Sequence, residues 1–326
     1  MAGNLLARIM VCADDHLSSK NIGAHRDYPG ESLHYFRMKT KLIEELGVTH
    51  YIGLGDLTTG RFTTLEYRAA VEEELVKQCQ LTGGRRWELK GNHDKATYGM
   101  TEYEYYIAKG LIRPADNLSI GNVNISMVDF GKEQVATAGE PGCIIKPSEE
   151  TIDIVLAHNL IVNDNSPLPN YGTAIDLEKQ SHWYGINYLV VGHIHEPYIF
   201  EGRIVDSTGT MAHKLLVQYP GCLARPAYRK DLPGVCNIVV ITIYDTGEVE
   251  YDSKDIELWS EEKSFNIEKM EKEREVESVK RVDVSDIAEA LANYKTVSGS
   301  PEDIIRGLAG VDEKYKNTAL RLLAES

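Results

Sequence analysis

A chain of 326 residues, 42% hydrophobic and 26% charged, can build a large core with a further piece appended. No run approaches the about 18 apolar residues needed to cross a membrane, and Met1 to Arg8 lacks the basic-then-apolar pattern of a signal peptide. A cytoplasmic, reducing location without membrane attachment is expected. The formal net charge of −15 excludes a surface coated in basic side chains, although one basic groove is enough to follow a phosphate backbone. The five cysteines are scattered, without a CxxC pair, which argues against a disulfide framework and a thiolate zinc site.

In chain order, Arg8 to Ala13 is an apolar run that reads as a strand and ends in Asp14-Asp15-His16. Ser18 to Glu31 is polar, with glycine and proline, and reads as a loop. Tyr35 to Leu46 has helical spacing (Phe36, Met38, Leu42, Ile43, Leu46) and stops at Gly47. Val48 to Leu54 is a strand leading to Gly55-Asp56. Thr64 to Gln80 reads as a helix, with Leu65, Ala69, Leu75 and Val76 among acids. Arg86 to Lys90 is a strand ending at Gly91-Asn92-His93-Asp94, and Tyr103 to Lys109 is helical. Val123 to Phe130, Ile152 to Ala157 and Tyr188 to Val191 read as strands, the last two running into His158 and Gly192-His193-Ile194-His195. Ile175 to His182 reads as a short helix. Ile199 to Val205, Lys214 to Tyr219 and Cys236 to Tyr244 are further strands. The alternation followed by many short strands implies an α/β sandwich, two sheets face to face with helices outside. The composition shifts at about Tyr251, which divides the chain into a catalytic domain, 1–250, and a charged linker with a helical tail, 251–326.

The chemistry sits in the segments that follow strands. Hard divalent cations take carboxylate, imidazole and amide oxygen ligands, and two of them can clamp an in-line phosphoryl displacement. Asp14 and His16, two apart at a strand end, face one side and can reach one metal. Asp56 follows the next strand and is placed to bridge. Asn92 offers a neutral carbonyl oxygen. His93 points elsewhere and stays free as a general acid or donor, with Asp94 to orient its imidazole. His158, His193 and His195 complete the shell. Gly55, Gly91 and Gly192 let the backbone turn tightly there.

In their order, these segments (D-x-H, G-D, G-N-H-D, a lone H, G-H-x-H) resemble the calcineurin-like metallophosphoesterase superfamily. The resemblance implies a four-layer sandwich of two mixed sheets flanked by helices. It implies one metal held by Asp14, His16, Asp56 and His195 and a second by Asp56, Asn92, His158 and His193, with His93 on the scissile phosphate. A long insertion between the first two segments, and Tyr219-Pro220-Gly221 leading to Arg225, are similar to the SbcD branch of repair exonucleases of bacterial or phage type. That branch implies a DNA exo- or endonuclease using hydroxide activated by two divalent ions. The ions would be manganese, with iron, zinc or magnesium as alternatives. It also implies an SbcC-like coiled-coil ATPase partner through the tail, a homodimer, and a cytoplasmic setting, that of the host for a phage protein. The chain departs from the family at Leu57-Thr58-Thr59, where a second catalytic histidine is missing, at Cys222 in place of serine, and in a shortened cap. The acidic charge leaves a phosphatase or phosphodiesterase on nucleotides, small phosphoesters or phosphoproteins as the alternative, and a scaffold for an ATPase as a third reading.

Arg225, Arg229 and Lys230 after the Pro220-Gly221 turn are candidates for binding the phosphates of a nucleic acid strand. Arg61, Lys20 and Arg26 read as surface charges. Tyr98, Tyr103, Tyr105 and Tyr106 read as packing residues rather than base-stacking ones.

Overall fold

A computed structural model of the chain describes residues 3–95, 99–132, 148, 150–162, 175–210, 212–224 and 234–269, with positions 305, 316, 317 and 320. The chain divides into two units, Met1–Phe265 and Asn266–Ser326. In the second, positions 305, 316, 317 and 320 are helical. Most of the expected charged linker and helical tail lies outside the described residues, as do Arg225, Arg229, Lys230 and Tyr98.

The strands of the first unit are β1 (Leu5–Cys12), β2 (His50–Gly53), β3 (Arg86–Glu88), β4 (Arg113–Pro114), β5 (Asn117–Ile120), β6 (Val123–Val128), β7 (Ile152–His158), β8 (Ile161–Val162), β9 (Ile175–Asp176), β10 (Tyr188–Gly192), β11 (Tyr198–Val205), β12 (Ala212–Tyr219), β13 (Val235–Tyr244) and β14 (Val249–Glu257). The helices are α1 (Tyr28–Glu45), α2 (Leu65–Leu81), α3 (Glu102–Ala108) and α4 (Glu261–Ser264). Two mixed sheets result, in the orders β14-β13-β1-β2-β3-β4 and β11-β12-β10-β7-β6-β5, with β8 and β9 as a separate pair.

Each sheet is apolar on both faces, which is why its central strands read as unbroken hydrophobic runs. In β1, Ala7, Ile9 and Val11 point to the core between the sheets, where they meet Val123, Ile125 and Met127 of β6, Ile154 and Leu156 of β7, and Tyr188 and Val190 of β10. Met10 and Cys12, the alternate residues, face outward to Tyr28, Tyr35 and Ile43 of α1. Beyond the second sheet, Trp183 and Leu177 lie in 3-10 turns and share a core with Leu189, Val191 and Val217. This is the mixed α/β sandwich expected of the metallophosphoesterase fold.

Three local expectations need correction. Residues 28–31, read as loop, are the first turn of α1: Asp27 accepts the Gly30 N–H at 3.0 Å, and Pro29 sits where helices tolerate proline. Residues 175–182 form β9 and two 3-10 turns instead of one helix. The domain boundary at 250 falls inside β14, which pairs with β13 from Val249 to Glu257. Being an edge strand with only Ile256 buried, β14 carries the acidic, polar composition of a linker.

Candidate dinuclear metal centre

β1, β2 and β3 run parallel, as do β6, β7 and β10. Their C-terminal ends deliver the loops with Asp14-Asp15-His16, Gly55-Asp56, Gly91 to Asp94, His158 and His193 to one edge of the sandwich, where sheets of this kind place ligands. Among the described residues, the non-glycines with positive φ are Asp14 (+51°), His16 (+44°), Asp56 (+51°) and His193 (+86°). All four are expected ligands. Left-handed backbone costs about 1–3 kcal/mol per residue and persists only where the surroundings enforce it. Asp14 and His16 thus converge through two left-handed residues beyond the end of β1, and the pleat of a strand is not what aligns them.

Two groups of donor atoms form. Asp14, His16 and His195 make one, and Asp56, His158 and His193 the other; within each, the atoms lie within 4.8 Å of one another. His16 Nε2 is 3.0 Å from His195 Nε2. Asn92 Oδ1 joins the second group, 3.1 Å from His158 Nε2 and 3.0 Å from His193 Nδ1. Asp56 lies between the groups: its Oδ2 is 3.7 Å from His16 Nε2 and 3.4 Å from His158 Nε2. A further group, His16, Asp56 and His93, shares a residue with each of these two and places the exposed His93 beside both.

Burial and close packing of charge perturb the titration of these groups. Burial pushes the Asp14 carboxyl up, and the charge of Asp56 adds to that. Burial also works against ionising Asp56, yet bonds and charge from His158 and His16, with the His93 N–H, hold it well below the carboxylate range. Burial opposes a charge on His158, but its bond to Asp56 and the Asp14 and Asp56 charges raise it to about 9. His16 and His193 are lowered to about 3 and about 4, first by burial and then by neighbouring histidines. Two buried carboxyl groups, four imidazoles and an amide oxygen, with donor atoms converging, form a hard donor set that fits two divalent ions, which would take the place of the proton on His158.

Supporting bonds set the ring orientations. His158 Nδ1 donates to the Leu54 carbonyl at 2.6 Å, turning Nε2 toward Asp56. His16 Nδ1 is 3.0 Å from Thr59 Oγ1. Thr59, noted from sequence for the histidine missing there, thus serves as the partner of the His16 imidazole. Asp94 does not orient His93. Its oxygens accept the Gly91 N–H at 3.0 Å and the Thr58 N–H at 3.3 Å, so it fastens two ligand loops together. Burial, then the Asp56 charge, raises it to about 7.

Two glycines are needed here for different reasons. Gly55 has φ of +92°. Gly91 is a matter of space: a Cβ there would lie 2.1 Å from Asp56 Oδ1 and 2.3 Å from Asp56 N.

Sequence reasoning passed over Phe130, whose ring centroid is 6.0 Å from that of His158 and 5.8 Å from that of His193. Lys95 Nζ lies 4.6 Å from the same ring. Arg61, read from sequence as a surface charge, instead lines a cavity with Met100, Arg68 of α2 and Tyr105 of α3. Neither Phe130 nor Lys95 has a periodicity or motif that would single it out.

No protein-family model matches the chain, and no curated protein sequence matches it. Solved structures with some likeness include a single mutant of Vps29 from Entamoeba histolytica (14% identity, 76% of this chain and 99% of that one, TM-score 0.35). Another is a dimetal phosphatase from Danio rerio (12% identity, 78% and 100%, TM-score 0.43). Wild-type Vps29 of Entamoeba histolytica complexed with zinc gives 14% identity, 76% and 98%, and a TM-score of 0.30. Likenesses this weak assign neither family nor activity, so the functional reading rests on the geometry of the centre.

Proposed function

We propose that this chain is a metal-dependent phosphoester hydrolase acting on phosphodiesters, with DNA as the substrate in the manner of the SbcD nucleases. The observation that carries the reading is the pair of donor groups meeting at Asp56, with an exposed histidine beside them. The proposed ligands are Asp14, His16, Asp56 and His195 for one ion, and Asp56, Asn92, His158 and His193 for the other. Two divalent ions, manganese in this proposal, would supply positive charge against phosphate oxygens and lower the pKa of water.

The chain's own residues do the rest. Asp56 spans the two positions and keeps its charge. His93 is exposed, with its backbone N–H donating to Asp56 Oδ1 at 2.8 Å, so its imidazole is held at the entrance, where it can donate to a phosphate or leaving oxygen. Lys95 adds positive charge beside Phe130 on the side of His158 and His193.

A second reading, hydrolysis of nucleotides or other small phosphoesters, is favoured by the net charge of −15. The second unit, Asn266–Ser326, as a docking segment for a coiled-coil ATPase, and a homodimer, belong to the nuclease proposal. The test is turnover of linear DNA and of bis(p-nitrophenyl) phosphate with manganese. His93→Ala is expected to slow both by about 10²–10⁴-fold. Turnover of the small diester without DNA cleavage would move the assignment to the second reading. Failure on both, with manganese bound, would remove the hydrolase reading.

A further inference from the structure

We propose that Asp15 and Lys39 form a positioning pair that sets the ligand loop Asp14-Asp15-His16, and with it the affinity of the centre for divalent cations. The inference rests on the two-metal reading above. Asp15 lies between two ligands but faces away from them. Asp14 accepts the His193 N–H at 3.0 and 3.1 Å, and His16 reaches His195. The Asp15 carboxylate instead accepts from Lys39 Nζ, which arrives from α1 on the outer side of the first sheet.

Lys39 is fully buried and Asp15 only 7% exposed. Lys39 also donates to the Tyr51 hydroxyl at 3.1 Å and lies 5.0 Å from the centroid of Phe36 and 5.6 Å from that of Tyr51. Lysine and aspartate are almost never buried unless paired. Apolar residues of similar volume would fill such a place with no desolvation cost, so a buried pair points to a requirement other than stability.

The loop supplies that requirement. Asp14 and His16 both hold left-handed backbone, which relaxes to ordinary φ unless something fixes the residue between them. The His16 end is secured by its N–H to the Asp56 carbonyl at 2.8 Å and by the Tyr28 hydroxyl, 3.0 Å from the His16 carbonyl. Lys39 secures the middle. It also keeps a third carboxylate from turning inward to compete with Asp14 and Asp56 for the ions.

The test uses the full-length protein and four variants: Asp15→Asn, Lys39→Arg, Lys39→Met, and Asp15→Asn combined with Lys39→Met. Manganese binding is measured by calorimetry, turnover of bis(p-nitrophenyl) phosphate at saturating manganese, and folding by thermal melting. Asp15→Asn is expected to weaken manganese binding by about 10–100-fold while kcat at saturating metal stays within about threefold. Lys39→Arg keeps the charge and is expected to bind nearly as wild type. The double variant buries no lone charge, so it folds even where Lys39→Met does not, and it is expected to bind as weakly as Asp15→Asn. Wild-type affinity in folded Asp15→Asn and in the double variant would overturn the inference. A wild-type protein that takes up no manganese would instead overturn the two-metal reading.

Discussion

Gly91 marks how closely the ligand loops approach one another. Any side chain there meets the carboxylate and the backbone nitrogen of Asp56. Gly91→Ala is expected to displace Asp56 and weaken manganese binding by about 10–100-fold, read by calorimetry, with the fold retained by far-UV circular dichroism. Thr59→Val tests a different support. Losing the contact to His16 Nδ1 frees that ring, and weaker metal binding with little change in melting temperature is the expected result. The candidate ligands were legible because aspartate, asparagine and histidine recur after apolar runs, an arrangement with few structural uses. The partners of those ligands were not. Thr59, Leu54 and Phe130 act through position alone, and Asp94 bonds backbone where sequence suggested an imidazole.

At the scale of elements, α1 links the outer face of the first sheet to the centre, since Lys39 and Tyr28 both belong to it. Asp27 caps its first turn, so Asp27→Ala is expected to cost about 1 kcal/mol, measured by urea unfolding. At the start of β2, His50 is half-buried and stacked on Trp87 with ring centroids 5.9 Å apart. Burial first, and the Arg85 charge second, lower it to about 4 from 6.5. The folded protein therefore holds His50 neutral where the unfolded chain would protonate it. Its contribution is complete above pH 6.5 and is lost as pH falls toward 4. His50→Gln is expected to flatten that part of the acid limb in a series of thermal melts; an unchanged limb would refute it. Helix α2 shows where periodicity misleads. Leu65 and Val76, counted toward its apolar face, are 75% and 40% exposed, while Tyr67, Val71 and Leu75 are buried. Its length was legible because helix formers run unbroken between Thr64 and Gly83, but its buried face depends on where α1 and α3 lie.

For the whole molecule, the centre gathers residues from Asp14 to His195 and draws on both sheets. A ligand bound there only in the folded state must stabilise the entire sandwich. Manganese at 100 times its dissociation constant is expected to add about 2.7 kcal/mol, seen as a higher melting temperature that chelation reverses. An unchanged melting temperature would show that the donors do not act together.

Sequence by itself determined the sandwich class and the order of the main strands, and it pointed to the residues whose donor atoms converge, because hydrophobic runs and residue types are local properties of the chain. It did not determine the edge strand β14, whose polar residues are held by the ladder to β13. Nor did it reveal that Asp14 and His16 converge through left-handed backbone, that Asp94 ties loops together, or that Lys39 lies buried behind Asp15. Those depend on what faces each residue from a distant part of the chain, and only the packing of both sheets and their helices decides that.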